Sequence, residues 1–300
     1  MNKLDQNVLE RYAEGNENKQ YIKDSYQNLK ELLEKFKFHN KSIKVFLQGS
    51  YKNDTDINFD SDIDIVVYYE EMFNENVRHQ NDNNEFHKET NLTPTDVDKF
   101  NQHFSNSEYT QQEYKQAIKT WIESNSNDYV VTNGDKTLKC KIKNSKYNFD
   151  IVCAIQYRLY TNFDNPDKFD YGNFLRGVEG ERVINFPKQT YKNSMEKNKN
   201  TGKYKETVRI IKNIMKRNYD KNLWIPSFAL ESILYNVSDK SYNIDTKHER
   251  VKTVIEEALS LVNNNWSSLL EPNKILYVKN IKRVDQNKVL NILNLMNSML

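Results

Sequence analysis

Residues 45–50 read Val-Phe-Leu-Gln-Gly-Ser, and residues 61–67 read Ser-Asp-Ile-Asp-Ile-Val-Val. Both pieces contain apolar, β-branched runs, which predicts two strands with a Gly-Ser turn after the first. Successive side chains of a strand point to opposite faces, so Asp62 and Asp64 share one face and the neighbouring isoleucines share the other. Two carboxylates are therefore expected side by side on a sheet.

Two adjacent carboxylates repel each other unless a cation or a base neutralises them. Oxygen ligands on one rigid face suit Mg²⁺ or Mn²⁺, which keep several waters and take further ligands from substrate phosphates. Gly49 lets the backbone approach closely, and Ser50 offers a hydroxyl and an N–H to phosphate oxygens. An Asp-X-Asp pair alone is more often a solvated strand edge, but the preceding Gly-Ser favours a site for a nucleotide polyphosphate.

A third acid lies in a predicted strand that runs from residue 147 to residue 154. Asp150 has apolar neighbours on both sides there, and an unpaired carboxylate in such surroundings is costly. It therefore needs a partner, and a metal ion and a structural salt bridge would satisfy it equally well.

The rest of the first half combines helices with one further strand. Apolar residues at three- and four-residue steps predict a single long helix from about residue 5 to residue 38, placed as a brace across the protein. Residues 137–143 alternate in the manner of a half-buried strand. Helix starts are predicted at residues 93–94 and at residue 107.

Beyond residue 187 the pattern becomes helical, with a loop at residues 198–202 and a new helix that starts at Pro226. The fold class expected is α+β: a lobe with a mixed sheet at residues 1–190, and an α-helical lobe at residues 191–300.

Composition restricts the function classes. The 300 residues include 44 Lys and Arg and 42 Asp and Glu, so the net charge is only +2, and bulk charge does not indicate a polybasic nucleic-acid binder. No apolar run approaches the length of a membrane span, and the N-terminus lacks the apolar core of a signal peptide. These features predict a cytoplasmic protein that does not associate with a membrane.

Basic residues cluster after residue 191. Such a cluster is typical of a solvated helix face, but it also suggests RNA contact through Lys199, Lys203 and Lys205.

The motifs together resemble a known family. Gly49-Ser50 followed by Asp62-Ile63-Asp64, with Asp150 later in the chain, resembles the polymerase-β-like nucleotidyltransferase superfamily. Residues 185–189 (Asn-Phe-Pro-Lys-Gln), 208–212 (Val-Arg-Ile-Ile-Lys) and 226–231 (Pro-Ser-Phe-Ala-Leu-Glu) are similar to the bacterial cGAS/DncV-like nucleotidyltransferases (CD-NTases), most closely the E clade.

This resemblance implies roles for the site residues. Asp62 and Asp64 would hold two Mg²⁺ (or Mn²⁺) ions and Asp150 would complete the ion that activates the attacking hydroxyl. Lys212 and Ser227 would bind the triphosphate, and Phe228 would stack on the base. The nucleotide-binding residues implied are Gln48, Gly49, Ser50, Asn185, Lys212, Ser227 and Phe228.

The resemblance also implies a function. It predicts an enzyme that joins ribonucleoside triphosphates into a cyclic di- or trinucleotide, a second messenger for anti-phage (CBASS) defence that acts on a separate effector protein. Activation by RNA is a further hypothesis from the basic cluster. Two alternatives stay open: a nucleotidyltransferase that modifies another acceptor, such as tRNA, a protein or an antibiotic, and a non-catalytic RNA-binding module.

Overall fold

A computed structural model describes residues 4–58, 62–73, 95, 109–160, 169–217 and 224–300. The helix starts expected at residues 93–94 and 107 lie outside the described residues. The helices are α1 Gln6–Ala13, α2 Lys19–Glu34, α3 Gly49–Asn53, α4 Gln111–Asn125, α5 Pro187–Thr201, α6 Tyr204–Arg217, α7 Ser227–Asn236, α8 Asp239–Tyr242, α9 Lys247–Asn265 and α10 Gln286–Ser298. The strands are β1 Lys37–Phe38, β2 Lys41–Ser42, β3 Lys44–Leu47, β4 Asp62–Phe73, β5 Tyr129–Asn133, β6 Leu138–Ile142, β7 Asn148–Leu159, β8 Asp170–Arg176 and β9 Arg182–Asn185.

The described residues form a seven-stranded mixed sheet with the order β3-β4-β7-β6-β5, and β8 and β9 extend it from β7. The β4–β7 pair is parallel and the other pairs are antiparallel. The two strands that carry the acids are therefore neighbours in the centre of the sheet. The expected α+β class with a mixed sheet is confirmed.

One face of the sheet packs against helices. Ile63 and Ile65 of β4 and Ile151 of β7 are buried in a core with Leu29 of α2 and Ile118 of α4. This is the isoleucine face that the alternation predicted, so the acids at the intervening positions face away from this core.

The long N-terminal helix predicted from residue 5 to residue 38 is wrong. The chain forms α1 and α2, separated by a break that contains Gly15 and a buried Asn16. The break follows from packing, because Leu9 of α1 belongs to the core of the helical half whereas Leu29 of α2 belongs to the core under the sheet. One straight helix cannot serve both cores.

The helical half contains the predicted helices, with one difference. The loop expected at residues 198–202 is wrong, because α5 continues to Thr201 and ends at Gly202, whose φ of 66° is left-handed. The start at Pro226 is confirmed, since α7 begins at the next residue. The division into lobes at residue 190 stays a prediction. Within the described part of the chain, no helix has the length and apolar character needed to span a membrane.

Residues 270–277 form a segment that we call the bridging loop. Its ends pair as an isolated bridge between Leu270 and Tyr277. Ile275 and Leu276 are buried in the core under the sheet, whereas Leu269 just before the loop is buried in the core of the helical half. The loop therefore joins the two cores at the cleft between them.

Candidate active site

The Gly-Ser turn is held against the strand that carries the acids. Gly49 opens the five-residue helix α3, and the N–H of Gln48 donates to the carbonyl of Asp64 at 3.0 Å. Gly49 has a φ of 72°, and a Cβ at this position would lie only 2.1 Å from Oδ2 of Asp64. Glycine is therefore required here both for its backbone conformation and for the space that the carboxylate occupies.

The parallel register brings the acids of two strands together. Asp64 of β4 is the direct partner of Asp150 of β7, and Asp62 is the partner of Asn148. Paired residues in neighbouring strands point to the same face, so Asp64 and Asp150 share the face that lies opposite the main core. The strands that carry Asp62, Asp64 and Asp150 are therefore neighbours, and the metal-binding role of the three acids stays a prediction.

Only one of the two carboxylate oxygens of Asp150 has a partner in the structure. Burial raises the pKa of Asp150, the hydrogen bond and charge of Lys139 oppose that rise, and the charge of Asp62 adds to it. Lys139 of β6 donates from Nζ to Oδ2 at 2.5 Å. The other oxygen, Oδ1, is buried and has no hydrogen-bond partner among the described residues. The salt bridge that the sequence left open thus exists, and one carboxylate oxygen still lacks a partner.

These oxygens fit a divalent cation. Three carboxylates on one face, with an orphaned oxygen on Asp150, provide the hard donors that Mg²⁺ and Mn²⁺ prefer. Within the described residues the acids are not gathered into a ready cluster of three or more metal-binding side chains. The fit to a cation therefore rests on the shared face of the acids and on the unpartnered oxygen of Asp150.

A pocket of about 540 Å³ lies beside the acids, a size that suits a small-molecule ligand. Asp64, Asn185, Ser227 and Phe228 are in its wall together with the Gly-Ser turn. Asp62 and Asp150 are not part of this lining. Sequence reasoning missed several wall residues, namely Lys52, Tyr191, Glu231, Glu271 and Asn273.

Two features of the pocket wall favour an anionic ligand group. Ser227 begins α7, where free backbone N–H groups and the helix dipole favour an anion. Lys52 of α3 places its Nζ 4.4 Å from the centre of the Tyr191 ring on α5. A lysine three residues after Gly49 was the only available signal for this cation.

Lys212 lies outside the pocket lining, which corrects the expected direct contact with a triphosphate. Its side chain is 0% exposed, and Nζ donates to the carbonyl of Thr55 at 2.8 Å. Nζ also lies 3.3 Å from Oε1 of Glu231. A buried ammonium needs a carboxylate and hydrogen bonds of this kind, so Lys212 acts behind the wall by holding Glu231, which does line the pocket.

The lysines proposed for RNA contact do not form an exposed basic patch. Lys205 is only 8% exposed, with its Nζ against the sulfur of Met195, and Lys203 is paired with Asp245 at 2.6 Å. Lys199 is exposed. The charge cluster of the sequence is used mainly for internal packing, because long basic side chains bury their stems and pair with nearby acids and carbonyls.

The chain resembles known proteins over most of its length. Residues 29–124 match the nucleotidyltransferase domain family, and residues 192–300 match the cGAS/DncV-like nucleotidyltransferase C-terminal helical domain. A cyclic nucleotide synthase, CdnE01, of Staphylococcus haemolyticus is 30% identical over 76% of this chain and 77% of the relative. A cyclic dipyrimidine nucleotide synthase, CdnE, of Legionella pneumophila is 30% identical over 79% of this chain and 77% of the relative.

Solved structures agree with this assignment. The c-UMP-AMP synthase CdnE of Rhodothermus marinus, solved with Apcpp and Upnpp, has a TM-score of 0.79 and 27% identity and covers 99% of this chain and 96% of that one. The CdnE cyclic dinucleotide synthase of Elizabethkingia meningoseptica, at 19% identity and a TM-score of 0.74, shares the fold over 97% of both chains. Because both domain families and relatives that span most of the chain agree, this chain belongs to the cGAS/DncV-like nucleotidyltransferases and is a nucleotidyltransferase enzyme.

Proposed function

We propose that this chain is a cyclic oligonucleotide synthase that joins two or three ribonucleoside triphosphates and releases one pyrophosphate for each bond formed. The observation that carries the proposal is the parallel register of Asp64 with Asp150 beside the Gly-Ser turn and its pocket. The relatives named as cyclic nucleotide synthases support this choice of reaction over transfer to another acceptor.

Asp62, Asp64 and Asp150 are the residues that would hold two Mg²⁺ or Mn²⁺ ions. When bound there, divalent cations would lower the pKa of the attacking ribose hydroxyl and would neutralise charge on the triphosphate and the leaving pyrophosphate. Lys139 orients the Asp150 carboxylate through its hydrogen bond to Oδ2, which leaves Oδ1 available to a cation. The ribose oxygen attacks the α-phosphorus, and the bond from that phosphorus to pyrophosphate breaks.

The other pocket residues bind and orient the donor nucleotide. The turn at Gly49 and Ser50 and the hydroxyl of Ser227 would hold triphosphate oxygens. Phe228 would stack on the base, a contact worth about 1–3 kcal/mol in comparable sites. Asn185 offers an amide with one donor and one acceptor group to a base edge.

The family resemblance supports a signalling role for the product. In this proposal the cyclic nucleotide is a second messenger in anti-phage defence and acts on a separate effector protein. RNA activation is not part of the proposal, because the burial of Lys205 and the pairing of Lys203 leave Lys199 as the exposed member of the predicted trio.

Labelled nucleoside triphosphates test the function directly. We expect purified protein with Mg²⁺ to release pyrophosphate and to form a product that resists phosphatase, with a mass that equals the sum of two or three nucleoside monophosphates less one water for each bond formed. Asp64→Asn should lower this rate by at least about a thousandfold, since it removes a metal ligand. Asp128→Asn, at an exposed position away from the pocket, should retain it. Nucleotide addition to tRNA or protein without a cyclic product would contradict the proposal.

A further inference from the structure

The lysine that the sequence assigned to the triphosphate is used elsewhere in the structure. Nζ of Lys212 donates to the carbonyl of Thr55 and lies 3.3 Å from the carboxylate of Glu231, behind the pocket wall. Proteins that bind nucleoside triphosphates commonly place a lysine on the outer phosphates in addition to the metal ions. Another cation is therefore expected in the wall of the pocket itself.

The described part of the pocket lining includes two lysines, Lys52 of α3 and Lys188 of α5. Both are exposed, and each ammonium group lies over a tyrosine ring. Nζ of Lys52 is 4.4 Å from the centre of the Tyr191 ring, and Nζ of Lys188 is 5.2 Å from the centre of the Tyr171 ring. Neither lysine forms an ion pair with a described carboxylate. An exposed contact of a cation with a ring is weak, so both ammonium groups are available to an anionic ligand.

Position in the fold distinguishes the two lysines. Lys52 is the fourth residue of α3 and Gly49 is the first, a spacing that places both on the same side of the helix. The side chain of Lys52 therefore belongs to the part of the pocket that contains the Gly-Ser turn. Lys188 lies in the first turn of α5 and contacts Tyr171 of β8 instead. Lys52 is thus the lysine on the side where phosphates are expected.

The surroundings of Lys52 leave its charge to a ligand. The carboxylate of Asp54, two residues further along the chain, is bound by Lys19 and lies 3.6 Å from Nη1 of Arg209. It therefore does not compete for Lys52. The Tyr191 ring, which projects from α5 and also lines the pocket, holds the ammonium group at the wall. A cation that is already positioned loses less conformational entropy when a phosphate binds.

We propose that Lys52, positioned by the Tyr191 ring, binds the terminal phosphate of the nucleotide in this pocket and makes the pocket selective for triphosphates over diphosphates. Its ammonium group leaves the ring face and donates charge-assisted hydrogen bonds to the phosphate oxygens. The terminal phosphate departs as part of pyrophosphate, so the same contact stabilises the leaving group. The inference rests on the proposed function, because it assumes that a nucleoside triphosphate fills the pocket.

Substitutions at the two pocket lysines test the contact. The ligands are the triphosphate and the diphosphate of each of the four common ribonucleosides, and their affinities are measured by calorimetry in calcium buffer. Lys52→Met should weaken triphosphate binding about tenfold or more and change diphosphate binding less than about twofold. Lys52→Arg should retain the preference for triphosphates. Lys188→Met removes the same charge from the same pocket and should leave the ratio of the two affinities unchanged.

The positioning role of Tyr191 has a separate test. Tyr191→Phe keeps the ring and should retain triphosphate affinity, whereas Tyr191→Leu should lower it about threefold, since the ring face is lost. In a Lys52→Met background, Tyr191→Leu should have no further effect. An equal loss in both backgrounds would show that Tyr191 contacts the ligand directly, and its positioning role would be wrong.

The outcomes separate this inference from the proposed function. If Lys52→Met weakens the binding of triphosphates and diphosphates equally, or if Lys188→Met lowers their ratio as much as Lys52→Met does, the contact of Lys52 with the terminal phosphate is wrong. If the wild type forms no cyclic product while Lys52→Met still lowers the affinity ratio as expected, the proposed function fails and the phosphate contact stands. If a cyclic product forms and Lys52→Met leaves the ratio unchanged, the phosphate contact alone fails.

Discussion

Gly49 shows how one residue can decide whether the acids and the Gly-Ser turn fit side by side. Glycine is required at this position for two reasons: its φ is left-handed, and a Cβ would lie only 2.1 Å from Oδ2 of Asp64. Only the first reason applies to Gly202, because its φ is 66° and nothing lies within 4 Å of a Cβ there. The two glycines therefore form a matched pair for experiment.

We expect Gly49→Ala to abolish pyrophosphate release, because the added methyl group displaces the Asp64 carboxylate or the turn. Gly202→Ala should retain activity and cost only about 1 kcal/mol of stability from backbone strain. The rate of pyrophosphate release and the denaturant unfolding of both variants are to be measured and compared. Equal activity of the two variants would contradict the steric role of Gly49.

Glu271 makes a prediction about stability and pH. Burial raises its pKa from 4.5 to about 7 in the folded protein, so the folded state binds a proton more tightly than the unfolded chain. The stability this contributes is fully present below pH 4.5 and is lost as the pH rises through about 7. The loss is on the order of 3 kcal/mol at most.

Glu271→Gln should therefore weaken the pH dependence of the free energy of unfolding. The stability of the variant minus that of the wild type should be larger at pH 8 than at pH 5. Denaturant unfolding at several pH values measures this. Glu249→Gln, at an exposed position on α9, provides the control. Parallel stability curves for wild type and Glu271→Gln across this range would rule out the buried, neutral carboxyl.

At the scale of elements, one buried ion pair connects three segments. Lys212 of α6 contacts Glu231 of α7 and the carbonyl of Thr55, which lies between α3 and β4. The hydroxyl of Thr55 also donates to Glu231 at 3.0 Å. The connection links the segment after the Gly-Ser turn to the helical half from behind the pocket.

Lys212→Met should lower stability by about 3–5 kcal/mol, because it leaves the Glu231 carboxylate buried without its cation. Adding Glu231→Gln to this variant should recover part of the loss. Chemical denaturation of the single and double variants measures the recovery, and Lys199→Met at an exposed position of α5 is the control. If the double variant is less stable than Lys212→Met, the pair does not act as described.

The elements that sequence reasoning predicted are those in which buried and exposed side chains alternate clearly along the chain. The strands with Asp62, Asp64 and Asp150 alternate around these acids because one face is buried in the core under the sheet, whereas farther along both strands the other face is buried as well. Strand β8 was not predicted, since its Gly172 and buried Asn173 give no alternation. Its pairing with β7 supplies the order that its own residues do not encode.

For the site, too, sequence reasoning found the residues in local motifs and missed those that reach the site through tertiary contacts. The Gly-Ser turn and the acids are local motifs, whereas Lys139 and Glu271 reach the site only through strand pairing and the bridging loop. The long N-terminal helix was mispredicted because periodicity does not show which core a helix packs against. Lys203 and Lys205 were misread as a surface because a charge stripe does not reveal its buried partners.

At the scale of the whole molecule, each of the two cores includes a segment from the opposite end of the chain. Leu9, near the N-terminus, is buried in the helical core, and Ile275, near the C-terminus, is buried in the core under the sheet. Each core is therefore completed by a segment from the other end of the chain. We expect the described parts to unfold together.

Leu9→Ala and Leu33→Ala test this expectation, since each removes a buried side chain from a different core. Each should cost about 2–5 kcal/mol, and both should shift one shared calorimetric transition. Leu261→Ala, at a partly buried position, should shift it less. Two resolved transitions, each sensitive to only one variant, would show that the cores unfold independently.

The parallel pairing of β4 with β7 also has a consequence during translation. Because Asp64 and Asp150 meet only through strands that are distant in the sequence, a nascent polypeptide still on the ribosome has no complete set of acids until β7 has emerged. Products truncated by a premature stop before Asp150 therefore lack one of the three acids of the candidate site.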